Sequence, residues 1–216
     1  MTKKINNFEI DVAELPANLP GVRFIPQIKN MNNDANDADS LQFTSGYTME
    51  VSPNNYFLME SLAKKYTKKG IVEIGVNRNG AGSFTWALLN NKPKSTIYLG
   101  IDIDDKSSIN NKDNNVYTIR TNSFDQDKIR NYMKEIGLIE ISLLFIDGWH
   151  SVNAVINDWK YSDLLSDDGI IVFHDTNFHP GPAIFLDAID NTIYKVEKYF
   201  TDQPGDCGMG VAYRLQ

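Results

Sequence analysis

The stretch GIVEIGVNRNGAGS, residues 70–83, decides how the rest of the chain is read. An aliphatic run stops at Gly75, two more glycines follow at 80 and 82, and the helical pattern FTWALLNN begins directly after Ser83. This reads as a strand, a tight loop and a helix, the first half of a βαβ unit. Four further runs of strand length follow: STIYLGIDI, NVYTIRT, ISLLFIDG and GIIVFHD. Between them lie a short DDKSSINN, DQDKIRNYMKEIG and SVNAVINDWKYSDLL, the last with Val152, Val155, Ile156, Trp159 and Leu164 on one helical face. The alternation predicts a doubly wound α/β fold with a mainly parallel, Rossmann-like sheet. Two late runs, YKVEKYF and CGMGVAYRL, have little helix between them and suggest an antiparallel hairpin at the sheet edge.

Upstream, SPNNYFLMESLAKKY carries its own helix signals, with Ser52 as cap and Pro53 at the first helical position. Before it, prolines at 16, 20 and 26 interrupt any long element, and NMNNDANDADS at 30–40 has turn chemistry without a hydrophobic period. Residues 1–50 are therefore expected to be an irregular segment or lid, and residues 51–216 the Rossmann-like domain. Residues 176–182 are read as a loop.

A chain of 216 residues suits one domain, and 42% hydrophobic with 23% charged residues is an ordinary globular composition. No apolar stretch approaches the roughly 20 residues that span a bilayer, so no membrane partner is expected. MTKKINNFEIDV has no apolar run behind its lysines, which reads as a cytoplasmic rather than a secreted start. The lone Cys207 has no intrachain disulfide partner and reads as a packed thiol near a late strand. A formal net charge of −7 disfavours nucleic acid. A homo-oligomer is compatible with the sequence, but no motif reads that property.

In a doubly wound sheet the ligand lies beyond the carboxyl ends of the strands. The loop there is spaced G-x4-G-x-G, lacking both the Gly-Lys-Ser/Thr ending that cradles nucleotide phosphates and the G-x-G-x-x-G of dinucleotide sites. A carboxylate on Glu73 at the loop mouth would repel a pyrophosphate and favour a cationic ligand. S-adenosylmethionine carries a sulfonium and an ammonium and no phosphate. Asp102, ending the second strand, sits where an acid accepts from a ribose diol, a feature of NAD sites as well.

Asp147 and Asp175 end the fourth and fifth strands, and two carboxylates placed side by side call for a positive group between them. A divalent cation meets that need; oxygen ligands suit magnesium or calcium, and an imidazole moves preference toward manganese, iron, nickel or zinc. His150, three residues after Asp147, titrates near neutrality and is a candidate general base. Plainer readings stand beside these: Asp147 as a cap of the next helix, His174 as a packed histidine, His179 as a loop residue, Trp149 as a hydrophobic contact, and Asp104 and Asp105 as solvated turn residues.

Taken in order, VEIGVNRNGAGS, YLGIDIDD, LLFIDGWH and DDGIIVFHDTN resemble class I S-adenosylmethionine-dependent methyltransferases. The likeness is to the metal-dependent small-molecule O-methyltransferases of the catechol, macrolide-sugar and cephalosporin-pathway kinds, across residues 50–215. It implies sheet order 3-2-1-4-5-7-6 with an antiparallel edge strand, S-adenosyl-L-methionine and a divalent metal (Mg or Mn) as cofactors, and a small-molecule hydroxyl as acceptor. It also implies Glu73 and Gly75, with Asn77 and Gly80 of the same loop, at the methionine part, Ser83 at its carboxylate and Asp102 at the ribose. Ser123 and Phe124 fall at the adenine edge, with Trp149 near the adenine ring. Asp147, His174 and Asp175 fall on the metal positions, His174 where the family usually has an acid, and Asp147 also borders the methyl donor. His150 takes the place of the general base. The first 50 residues and the 176–182 loop are expected to close over the acceptor. Two rivals share the fold: a hydrolase using Asp147, His174 and Asp175, and an inactive methyltransferase-like binding domain, for which Asn79 in the glycine loop is the hint.

Overall fold

The structure, a computed structural model, describes residues 1–5, 8–29, 32–34, 52–77, 82–201, 203 and 206–216. Helix α1 (Pro53–Tyr66) starts as its sequence dictates, with the Ser52 hydroxyl accepting from the Asn55 amide at 3.3 Å and proline in the first turn. Seven strands then build the main sheet: β4 (Gly70–Ile74), β5 (Tyr98–Asp102), β6 (Val116–Arg120), β7 (Ile141–Ile146), β8 (Leu165–His174), β9 (Tyr194–Tyr199) and β10 (Met209–Arg214). Their order is β6-β5-β4-β7-β8-β10-β9, which in the sheet's own count is 3-2-1-4-5-7-6. The five strands from β6 to β8 are parallel. The reversed strand is β10, one place in from the edge, antiparallel to both β8 and β9.

Helices α2 (Ser83–Asn91), α3 (Gln126–Glu135), α4 (Val152–Trp159) and α5 (Pro180–Ala188) complete the wound unit. One core, around Ile71, Phe84, Tyr98, Phe145 and Met209, lies against α1 and α2. The other, around Ile74, Ile101, Ile146, Trp159 and Phe185, fills the opposite face. Burial on both faces explains why β4, β7 and β8 read as near-continuous apolar runs.

Three expectations are corrected. The first fifty residues are not irregular throughout: β1 (Thr2–Ile5), β2 (Phe8–Pro16) and β3 (Phe24–Ile28) form a separate antiparallel sheet. Pro16 ends a strand, Pro20 lies between strands, and Pro26 sits on the edge strand β3, where a missing amide is tolerated. Ile5, Ile10, Val12 and Ile28 of this sheet pack on Val152, Ala183 and Ile184. DDKSSINN, residues 104–111, holds a single 3-10 turn, Ser107–Ile109, rather than an α-helix, and a second turn, Lys112–Asn114, follows it. The region read as a loop at 176–182 contains the start of α5, whose two prolines occupy its first turn. Residues 35–51, which take in the last part of the expected lid, fall outside the described residues, as do Arg78, Asn79, Gly80 and Ala81 of the glycine loop.

Candidate active site

The crevice is built where the carboxyl ends of β4, β5, β7 and β8 meet. Gly75 turns the chain out of β4 with φ 88°, and a Cβ there would lie 2.1 Å from the Asp147 carbonyl oxygen. No other residue fits this close approach. Asp102 at the end of β5 accepts from the Val76 amide at 2.7 Å and the Asp104 amide at 2.8 Å, with the Lys106 ammonium 3.8 Å away. That lysine also donates to the Asn77 carbonyl, so one buried cation ties the glycine loop to the second strand. Asp102 is thus already a brace, with its remaining lone pairs open to a hydroxyl.

Glu73 does not stand at the loop mouth. It is buried beneath α2, accepting from the Thr85 hydroxyl at 2.8 Å and from the Tyr98 hydroxyl. Burial pushes its pKa up to about 8, which leaves it uncharged at neutral pH. Period-two alternation along β4 turns residue 73 to the α1–α2 face, so it supports the loop and offers no charge to a ligand. Ser83 is exposed at the first position of α2, whose first-turn amides have no side-chain cap among the described residues. The Ser123 carbonyl accepts from the Asn157 amide group and the Tyr161 hydroxyl, both at 3.0 Å. Phe124 and Trp149 are half exposed, and Ile103, beside Asp102, is 67% exposed. Ile103 was not singled out by sequence reasoning, although it follows the acid directly. Trp149 also donates to the carbonyl of Asp34, which joins the N-terminal segment to this side of the crevice.

The second half of the crevice gathers all three histidines. Asp147 ends β7, and Ser151, not Asp147, caps α4 by accepting from the Ala154 amide at 3.2 Å. Asp175, at φ 57°, turns the chain out of β8. His150 Nε2 lies 3.2 Å from Asp175 Oδ2 and 3.6 Å from Asp147 Oδ1. His174 Nδ1 lies 3.0 Å from Asp147 Oδ1 and 3.6 Å from Asp175 Oδ1. His179, the N-cap residue of α5, stacks on His150 with ring centroids 4.1 Å apart and planes 16° from parallel. Gly181 makes that stack reachable, because a Cβ there would meet the His150 carbonyl oxygen at 2.2 Å. Sequence reasoning read His179 as a loop residue; the pattern His-Pro-Gly-Pro was the available signal.

Electrostatically the crevice is balanced by its own imidazoles. Burial works against the charged form of Asp147, yet His174 and His150 together hold it down to about 2. Burial likewise works against protonating His150 and His174, but the two aspartates raise both, His174 well above the ordinary imidazole range. His179 is pushed down to about 4, first by burial and then by His150. The paired carboxylates therefore favour a proton on His174, the imidazole they raise furthest.

The trio expected to bind metal, Asp147, His174 and Asp175, shares this crevice. Among the described residues, the groups with donors close enough together for one ion are two others: His150, Asp175 and His179, and His174, Asp175 and Cys207. Asp175 belongs to both. Asp147 instead engages His174, the arrangement of a carboxylate that orients a ligating imidazole.

Residues 72–176 match the sequence model of a methyltransferase domain family. No curated protein matches the chain. Among solved structures, MycE methyltransferase from the mycinamycin biosynthetic pathway, in complex with Mg, SAH and mycinamycin VI, is similar with TM-score 0.55 at 14% identity, covering 84% of this chain and 54% of that one. This chain thus spans about half the length of MycE. The O-methyltransferase TomG from Streptomyces achromogenes, in complex with SAM, gives TM-score 0.56 at 15% identity over 87% of this chain and 92% of that one. A caffeoyl-CoA O-methyltransferase assignment from Staphylococcus aureus gives 0.57 at 14%, over 87% and 94%. The fold is that of class I methyltransferases, and residues 72–176 match a methyltransferase domain.

Proposed function

We propose that the chain moves the methyl group of S-adenosylmethionine onto a hydroxyl of a small molecule, with a divalent cation assisting. One observation carries this reading: His150, Asp147 and Asp175 converge at the ends of β7 and β8, next to the Gly75–Asp102 brace at the ends of β4 and β5. The donor would lie along the brace, its carboxylate at the open amides of α2, its ribose on Asp102 and its adenine against Ile103, Phe124 and Trp149.

His150 Nε2 makes no well-formed hydrogen bond among the described residues, although two carboxylates stand near it. It is placed to take the acceptor's hydroxyl proton, and Asp147 and Asp175 stabilise the imidazolium that results. As the oxygen forms its bond to the methyl carbon, the carbon–sulfur bond breaks and the sulfonium becomes a neutral thioether. Opposite charges vanish in this step, which a crevice that excludes water favours. A divalent cation bound by His174 and Asp175, with Asp147 alongside, would supply Lewis acidity that lowers the acceptor's pKa.

Titration calorimetry should show binding of S-adenosylhomocysteine, weakened by Asp102→Ala. Tight binding of ATP or NADH, with no heat from either methionine derivative, would remove the reading. Once a panel of catechols, sugars and hydroxylated metabolites yields an acceptor, His150→Gln should cut turnover by about a hundredfold to ten-thousandfold while cofactor binding persists. A variant that keeps most of its turnover would make His150 a bystander.

A further inference from the structure

Asp175 has a different set of donors on each side. On the Oδ2 side stand His150 and His179, on the Oδ1 side His174, and Cys207 groups with His174 and Asp175. The first pair is poorly arranged for one ion. Imidazole nitrogens donate in the plane of the ring, and two rings stacked within 16° of parallel cannot both hold one ion in their planes.

The second set has no such conflict. One donor atom each from His174, Asp175 and Cys207 lie within 4.8 Å of one another. All three residues are more than nine-tenths buried, at 6%, 5% and 3% exposure. His174 Nε2 and Asp175 Oδ1 are buried without a well-formed hydrogen bond among the described residues, an expensive condition for polar atoms, and the Cys207 side chain bears on the His174 imidazole. The fold holds the sulfur there by register. Met209 of β10 pairs with His174 of β8, and the Asn177 amide donates to the Cys207 carbonyl at 2.8 Å, so the cysteine must lie against the end of β8. Asp147, on His174 Nδ1 at 3.0 Å, leaves Nε2 as the ring's other donor and fixes the ring's orientation.

We propose that His174, Asp175 and Cys207 ligate a transition-metal ion of the zinc or cobalt class, and that this crevice is not a magnesium site. Nitrogen and thiolate sulfur are poor ligands for magnesium, which takes oxygen donors in octahedral geometry; together with one carboxylate they suit zinc, cobalt, iron or nickel. Ligation releases the thiol proton to solvent, and no oxidation is involved. The inference rests on the metal-assisted reading above and changes its ion and its third ligand.

The test uses the full chain, stripped with a chelator and titrated with cobalt(II) chloride in the absence of methyl donor and acceptor. A near-ultraviolet sulfur-to-cobalt charge-transfer band is expected, absent in Cys207→Ser and unchanged by a magnesium excess on the order of a hundredfold. Cobalt that fails to bind, or binds without this band, overturns the proposal. Should Cys207→Ser unfold, X-ray absorption of the zinc-loaded wild-type protein gives the answer without a variant. A sulfur neighbour near ~2.3 Å supports the site, and a shell of light atoms alone removes it. S-adenosylhomocysteine calorimetry on the same preparation separates failure of this metal site from failure of the methyltransferase reading.

Discussion

Glu73 shows how much a single position depends on which face of a strand it occupies. From the sequence it is a carboxylate at a loop mouth; in the fold it is an uncharged acid held by Thr85 and Tyr98. Its pKa near 8, against 4.5 in an exposed chain, means that the folded state binds the extra proton between those values. The stability it contributes is complete below pH 4.5 and is lost as pH rises through about 8. Glu73→Gln should flatten this slope, so the variant gains on the wild type by up to a few kcal/mol at pH 9, read from denaturant midpoints across pH. Parallel slopes for the two proteins would show that Glu73 is ionised in the fold. Asp147, His150 and Asp175 were legible because each stands at or just after the end of an apolar run, where a parallel sheet places its ligands. His179 and Cys207 were not, because their neighbours depend on a helix start and a strand register rather than on spacing.

Helix α5 was missed for a related reason: nearly every residue from Pro180 to Ala188 is buried, so no polar face marks its period. Its second residue is the sensitive one. Gly181→Ala would press a methyl group onto the His150 backbone, forcing α5 outward and His179 off its stack. A loss of about 1–3 kcal/mol is expected, with reduced turnover and intact S-adenosylhomocysteine binding. Wild-type stability in this variant would mean that the loop at His150 yields freely. The N-terminal sheet, by contrast, did carry a readable signal. Ile10 and Val12 are buried while Glu9 and Asp11 are exposed, the alternation of a half-buried strand, but the nearby prolines outweighed it.

At the scale of the molecule, that small sheet covers apolar surface that the wound domain would otherwise expose. Ile5, Ile10, Val12 and Ile28 bury themselves against α4 and α5, and Trp159 donates to the Pro20 carbonyl at 2.9 Å. A chain lacking residues 1–29 should lose several kcal/mol, lowering its melting midpoint by roughly 10 °C and binding a hydrophobic dye. Melting within about 2 °C of the intact chain would show the sheet to be an independent appendage. The doubly wound topology was legible throughout because its strands are buried on both faces; the place of β10 inside the edge was implied by family resemblance rather than by pattern. That placement also sets a schedule. On the ribosome β9 emerges before β10, so Tyr194–Tyr199 waits without its neighbour while the flank of β8 stays open, and Cys207 reaches His174 only when the later strand slides between them.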